Sequence, residues 1–298
     1  VQLELKWLED YLALAKNGSF SKAAESRFVT QPAFSRRIRA LENWLGVGLV
    51  DRTKYPTSFT EAGSEFLEHA ETLKTQIYSS REQLKSLVSD QAEIVIMSQH
   101  AIAVSFLPNW LHDNESLLGG ALIEVNAGNL HDSLESFMAG AGNFLLCFSS
   151  PDIYKQLERT DIESIQVGSD QLIPVTGVKS NGQAIYTLSS NEGLRLLSYP
   201  KDSFFGRLIT RECMPQFGNE YAIHKVYESA LAEGLKALVM EGYGIAWLPK
   251  SLIAKELDEG QMLILETLCI PINLQINLYR FKGGTSELAN TFWDRLLI

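Results

Sequence analysis

Apolar positions along the chain change their period near residue 90. Before that point they recur at three and four, as on helices; beyond it, strand-like runs alternate with helical ones. Leu5, Leu8, Tyr11, Leu12 and Ala15 mark a first helix with one apolar face, ended by Asn17-Gly18. Residues 19–46, SFSKAAESRFVTQPAFSRRIRALENWLG, read as two short helices joined by a tight turn. Ser19 is placed to cap the first of them and Thr30 the second, with Pro32 in a first turn where its missing N–H costs little. Ala23 and Ala24 are small enough for close helix approach, and Phe28 and Val29 fall in the turn. VGLVDRTKYPTSFT follows, with the β-branched and turn residues of a two-stranded wing. Thr60 then caps a long helix predicted to reach about Val88. On it Phe66, Ala70, Leu73, Ile77, Ser80, Leu84 and Leu87 alternate at four and three, a heptad seam that predicts pairing with a second copy.

From Glu93 the runs EIVIM, ALIEVNA and FLLCFSS read as strands, with helical stretches at about Phe106–Leu111 and Leu130–Ala139 between them. QLIPVTG, LRLLSYP, YAIHKVY, GIAWLP, MLILET and INLQINLYRF continue the strands. FFGRLITREC, ALAEGLKALVMEG, SLIAKEL and residues 287–297 continue the helices. Strands alternating with helices predict a parallel sheet with helices on its faces.

The predicted second helix of the pair carries two faces. Phe34, Ile38, Leu41 and Leu45 form an apolar stripe. Pro32, Ser35, Arg36 and Arg39 project elsewhere, close to Thr30 and Gln31. Arginine grips phosphate or takes guanine in a bidentate pair, and glutamine does the same with adenine, so this flank suits a major-groove recognition helix. Over its whole length, including Ala23-Ala24, Gln31-Pro32, Ser35 and Leu41-Glu42, the segment resembles the winged helix-turn-helix of LysR-type transcriptional regulators. Phosphate contacts are expected from Arg36, Arg52 and Lys54, and base reading from Gln31, Ser35 and Arg39 with an apolar contact from Pro32.

Charge sharpens this picture. The chain carries a formal charge of −10, which at first argues against a nucleic-acid binder. Residues 1–60, however, hold nine basic and six acidic residues, so the positive charge gathers where the recognition helix lies. Cys147, Cys213 and Cys269 are odd in number and widely spaced, with neither a metal-ligand nor a Cys-x-x-Cys pattern. No G-x-G-x-x-G, P-loop, G-x-S-x-G or H-E-x-x-H motif appears, and five scattered histidines offer no metal pair. No enzyme activity, metal or cofactor is expected. The acidic, amphipathic N-terminus is unlike a signal peptide, and no run is long enough to span a membrane; a cytoplasmic location is the expectation.

The resemblance also implies a two-lobed, periplasmic-binding-protein-like effector domain, giving an α/β protein with an N-terminal winged helix. The expected boundaries are 1–60 for the DNA-binding domain, 61–90 for the dimerising linker helix and 91–298 for the effector domain. Lobe one would take about 91–167 and 268–298, and lobe two about 168–267. Ligands in open α/β sheets bind beyond the carboxyl ends of strands. The matching positions are Ser98, Gln99, His100, Gly128, Ser149, Asp202, Ser203 and Phe204, with Ser203 opening a helix whose N–H groups would receive an anion. The implied partners are double-stranded promoter DNA with two-fold symmetry, a small and anionic effector, and further copies of the chain as a dimer or tetramer. TQPAFSRRIRALE, FLPNWL, SFFGRLITRE and EGYGIAWLP are similar to the hypochlorite-responsive branch of the family, in which sulfur oxidation is an alternative signal. A solute-binding protein without a DNA role would account for residues 91–298 but leave 1–90 unexplained.

Overall fold

The computed structural model describes residues 3–52, 57–86, 93–150, 157–187, 193–216, 223–266, 268, 271–282 and 286–297. Two units divide the chain, Val1–Leu87 and Val88–Ile298. In the first, α1 (Leu5–Asn17), α2 (Phe20–Ser26) and α3 (Gln31–Leu45) precede a hairpin of β1 (Val50–Asp51) and β2 (Ser58–Phe59), followed by α4 (Glu61–Ser86). The left-handed Gly18 stops α1, its N–H reaching the Leu14 carbonyl at 2.9 Å. Trp7, Leu8, Tyr11 and Leu14 of α1 share one core with Ala23, Ala24, Phe34, Ile38 and Leu41. The two alanines leave room for α2 to lie against its neighbours. Ser19 and Thr30 hold the N-cap positions of α2 and α3, yet neither hydroxyl makes the capping bond. Thr60 does cap α4, accepting from the Gly63 N–H at 3.0 Å. A side chain at Gly63 would meet the Leu49 carbonyl oxygen at 2.1 Å, so glycine lets α4 pass this close. Along α4 Ala70 is buried, whereas Leu73, Ile77 and Leu84 are exposed. Leu87 and the wing tip with Lys54 lie outside the described residues.

The second unit opens with β3 (Glu93–Gln99), α5 (His100–Ser105), α6 (Leu107–Asp113), α7 (Glu115–Leu118), β4 (Leu122–Gly128), α8 (Leu130–Met138) and β5 (Phe144–Ser149). It continues through β6 (Ile162–Gly177), β7 (Leu194–Ser198), α9 (Phe204–Glu212), β8 (Ile223–Glu228), α10 (Ala232–Met240) and β9 (Ala246–Pro249), and closes with α11 (Ala254–Asp258), β10 (Met262–Ile264), β11 (Ile272–Phe281) and α12 (Glu287–Leu296). The main sheet runs β10-β6-β11-β5-β3-β4, with β9 also on β6. Only β4, β3 and β5 are mutually parallel; β11 runs antiparallel to both β5 and β6, so the expected parallel sheet is mixed. The first part of β6 pairs with β11, while Leu172–Gly177 pair with β9 and β10. β6 is therefore one 16-residue strand bridging two lobes, although QLIPVTG alone reads as strand in the sequence. Its first half is buried on one side only, which hides it from an apolar count. β7 and β8 form a parallel pair that continues toward β9 through a bridge between Leu196 and Ile245. Phe144, Phe148, Trp247, Phe292 and Trp293 fill the core.

Candidate nucleic-acid interface and ligand cleft

One flank of α3 is open. Thr30, Gln31, Pro32, Arg36 and Arg39 are exposed and Ser35 is half-buried. Among the described residues, Arg36 and Arg39 have no hydrogen-bond or ion-pair partner. Arg37, one residue away, turns inward. Its Nη1 donates to Oδ2 of the fully buried Asp10 at 3.1 Å. The Arg27 Nε donates to Asp10 Oδ1 at 2.9 Å, and Arg27 Nη2 reaches Glu9 Oε2 at 2.5 Å. The Tyr78 hydroxyl of α4 donates to the other Glu9 oxygen at 2.6 Å. Burial works against the Glu9 charge, but Tyr78 and Arg27 outweigh it and hold the carboxyl below its ordinary range. Asp10 thus stitches α1 to both α2 and α3 and fixes which arginines face outward.

Arg52, expected as a phosphate contact, is exposed but ion-paired within its own unit. Its Nη2 donates to Glu42 Oε2 at 2.6 Å, and Glu42 Oε1 also accepts from the Leu49 and Val50 N–H groups at 2.9 and 3.1 Å. The buried Glu42 needs a cation as well as these donors, so Arg52 is committed to holding the loop after α3. The sequence did carry a signal for both acids. Asp10 lies three residues after Trp7 and four before Leu14, inside the apolar face of α1, and Glu42 directly follows the core residue Leu41.

A cleft in the second unit encloses about 40 Å³ and is lined by Gln99, His100, Ala101, Gly128, Asn129, Leu130, Tyr199, Ser203, Phe204, Phe205, Ala230 and Ala232. These positions fall at the starts of four helices: α5 at His100, α8 at Leu130, α9 at Phe204 and α10 at Ala232. Each helix start presents unpaired N–H groups and a partial positive charge. Ser203 caps α9 by accepting from Gly206 N–H at 3.1 Å, and Asn129 caps α8 by accepting from Asp132 N–H at 3.0 Å. No side chain caps α5 or α10. The Gln99 carbonyl oxygen accepts from Phe148 N–H at 2.7 Å, which leaves its amide N–H groups as donors. Tyr199 donates to the Trp247 carbonyl at 3.0 Å. The Gln99 amide and the helix starts at α5 and α10 are the donors left to the cleft, and among the described residues no Lys, Arg, Asp or Glu lines it.

Gln99, His100, Gly128, Ser203 and Phe204 of the expected site come together here; Ser98, Ser149 and Asp202 do not line the cleft. Ser98 is fully buried, its carbonyl accepting from the Ser133 hydroxyl at 3.0 Å. Ser149 accepts from the Tyr279 hydroxyl at 3.2 Å, and Asp202 is exposed outside the cleft. Strand alternation explains Ser98: its neighbour Gln99 takes the position that opens on the cleft. His100 starts a helix, Asn129 lies at the strand end expected to face a ligand, and Tyr199, Ala230 and Ala232 escaped the sequence reading because they meet only through the fold.

The chain matches the bacterial regulatory helix-turn-helix, lysR family over residues 5–64 and the LysR substrate binding domain over residues 89–297. It is 32% identical to the HTH-type transcriptional regulator YjiE of Escherichia coli K12, over 99% of this chain and 94% of that protein. Full-length HypT of Salmonella typhimurium, a hypochlorite-specific LysR-type regulator, is 31% identical with a TM-score of 0.62, covering 99% of this chain and 98% of that one. Vibrio fischeri DarR in complex with DNA is 30% identical with a TM-score of 0.58, covering 99% of both chains. The HypT regulatory domain with bromide bound is 26% identical with a TM-score of 0.60, covering 70% of this chain and 95% of that one. An open basic helix flank in one unit and a two-lobed α/β unit in the other thus agree with kinship over nearly the whole length: the chain belongs to the LysR family of DNA-binding transcriptional regulators and carries that family's helix-turn-helix and effector-binding domains.

Proposed function

We propose that this regulator, working in the cytoplasm, reads promoter DNA through Gln31, Pro32, Ser35, Arg36 and Arg39, and that a small anion held in the cleft of its second unit alters that reading. The convergence of four helix starts on one cleft carries the anion assignment. One water needs at least about 10–15 Å³ of such space, so about 40 Å³ has room for a halide, an oxyanion or a small carboxylate. Thermal unfolding across a panel of sodium salts tests this. A saturating anion at 100 times its Kd should stabilise the protein by about 2.7 kcal/mol, and His100→Ala should weaken the response. A panel in which only cationic or large aromatic ligands stabilise would overturn the assignment. The exposed Leu73, Ile77 and Leu84 of α4 support a homodimer through that helix, and dimers could assemble further into tetramers. Charged replacements at Leu73 and Ile77 should give monomers in analytical ultracentrifugation, and persistent dimers would move the interface elsewhere.

A second reading, oxidant response, draws on the 31% identity to a hypochlorite-specific regulator and on the bromide bound to that regulator's domain. Among the described residues sulfur is poorly placed for it, and Cys269 lies outside them. Cys147 and Cys213 are buried, and burial pushes the Cys147 thiol up, away from the reactive thiolate. Of the five methionines only Met240 is exposed. Oxygen addition at Met240 that changes DNA binding would favour the oxidant reading over the anion one.

A further inference from the structure

The turn between α2 and α3 contains an aromatic side chain that its own fold does not use. Arg27 ends α2, the Phe28 N–H bonds the Glu25 carbonyl, and the Val29 N–H bonds the Ala24 carbonyl, both at 3.0 Å. This double closure is a Schellman motif, whose turning residue must be left-handed. Phe28 holds that position at φ 54°, and among the described residues it is the only non-glycine with positive φ. Glycine or asparagine adopts this conformation with less strain, because a bulky side chain crowds the backbone there. The strained ring gains nothing from packing, since Phe28 is 96% exposed. Val29, Thr30, Gln31 and Pro32 follow it directly into the open flank of α3.

We propose that Phe28 is a DNA contact, its ring pressing on the apolar edge of the duplex beside the recognition helix. The surface is continuous with the DNA-reading flank, and the inference rests on that reading of α3. An apolar ring at this border has two matching features on the duplex: the deoxyribose carbons of the backbone and the thymine methyl in the major groove. Burial of the ring on binding supplies the stabilisation that the free protein lacks. An isolated strained residue at a binding face is the pattern expected when local stability has been exchanged for function.

The test uses the full chain and a duplex selected by the wild-type protein from a random pool. Phe28→Asn and Phe28→Gly should raise the melting temperature by a few degrees, on the order of 2–6 °C, as the turn relaxes. Both should weaken DNA binding about tenfold, with the salt dependence unchanged because no charge is lost. Phe28→Leu should retain most of the affinity. Uracil in place of thymine identifies the contacted group: a loss seen with wild type and absent in Phe28→Asn places the ring on a methyl, and no loss places it on deoxyribose. Unchanged affinity in both the Asn and Gly variants overturns the proposal, as does a lowered melting temperature, which would show that the ring packs within the protein. Arg39→Ala in parallel separates the two ideas. If Arg39→Ala weakens binding and the Phe28 variants do not, the inference about Phe28 alone falls; if neither weakens it, the reading of α3 falls with it.

Discussion

The two proposed sites of this chain would both take negative charge, but by opposite means. The α3 flank offers whole guanidinium charges on an exposed surface, with Arg36 and Arg39 left unpaired among the described residues. Among the described residues the cleft of the second unit has no Lys or Arg in its wall, and it would depend on backbone N–H groups at helix starts, with Gln99, His100 and Ser203 beside them. The difference follows from the size and hydration of what each site would hold. A duplex is a long polyanion that stays in water and is gripped by releasing counterions. A small anion in a cleft must lose water, and fixed dipoles in a drier site replace that water without bringing a mobile charge that would bind any anion. The first site should therefore be strongly salt-dependent and the second much less so.

The largest expected effect separates the two units outright. Asp10 is buried against Arg27 and Arg37, and Asp10→Ala strands the Arg37 guanidinium beside the core of the first unit while leaving Arg27 with Glu9 alone. Removing one partner of such a cluster costs about 3–5 kcal/mol, lowered toward about 3 here by the partial exposure of both arginines. Chemical denaturation should show the first unit unfolding early, DNA binding should be lost, and anion-induced stabilisation of the second unit should persist. A cost below about 1 kcal/mol would mean that the cluster does not organise the helices.

Next in size are the arginines themselves, which differ by direction and not by type. Arg39→Ala should cost about 1–3 kcal/mol of DNA affinity if it reads a base, with stability unchanged. Arg37→Ala should instead lower stability, through Asp10, and affect binding only as far as the unit unfolds. Filter binding at several salt concentrations together with thermal melts checks both. Equal binding losses at constant stability would erase the distinction between outward and inward arginines.

The apolar stripe of α3 and the small Ala23-Ala24 pair were legible because helical periodicity is local. Helical spacing likewise set Arg36 and Arg39 on a face apart from Arg37; what it could not give is the inward partner of Arg37, Asp10, 27 residues away on another helix. The ion pair of Arg52 was not legible either, since its partner Glu42 sits on another element. In the cleft, strand ends such as Gln99 and Gly128 were legible from the rule that ligands sit beyond carboxyl ends. Ala230 and Ala232 were not, because a small residue carries no chemical signature, and its contribution is space and a backbone N–H.

A smaller effect tests the cleft's dependence on helix starts. Ser203 accepts from the Gly206 N–H and donates to the Pro200 carbonyl at 2.7 Å, fixing the first turn of α9. Ser203→Ala should lower the stability of the second unit by about 1 kcal/mol, the usual cost of losing an N-cap. It should also weaken the anion-induced rise in melting temperature while leaving DNA affinity without anion unchanged. An intact anion response in a less stable protein would reduce Ser203 to a cap and place the anion on α5 and α10.

The smallest expected effect is in acid. Glu9 sits below its ordinary value of 4.5 in the folded first unit: burial opposes its charge, and Tyr78 and Arg27 more than offset that. Asp161 in the second unit is also held below its ordinary 3.8, chiefly by the Arg159 hydrogen bond. A carboxyl depressed on folding contributes stability that is complete above its unfolded value and disappears as pH falls through its folded value. Both units should therefore be insensitive to pH near neutrality and begin to weaken below about pH 5. With solvent screening, each group's share should stay below about 1 kcal/mol. Glu9→Gln should flatten the acid limb of the first unit's melting profile and leave that of the second as it was. A first-unit profile that keeps its full slope in Glu9→Gln would show that the Tyr78–Glu9–Arg27 link to α4 is not what weakens in acid.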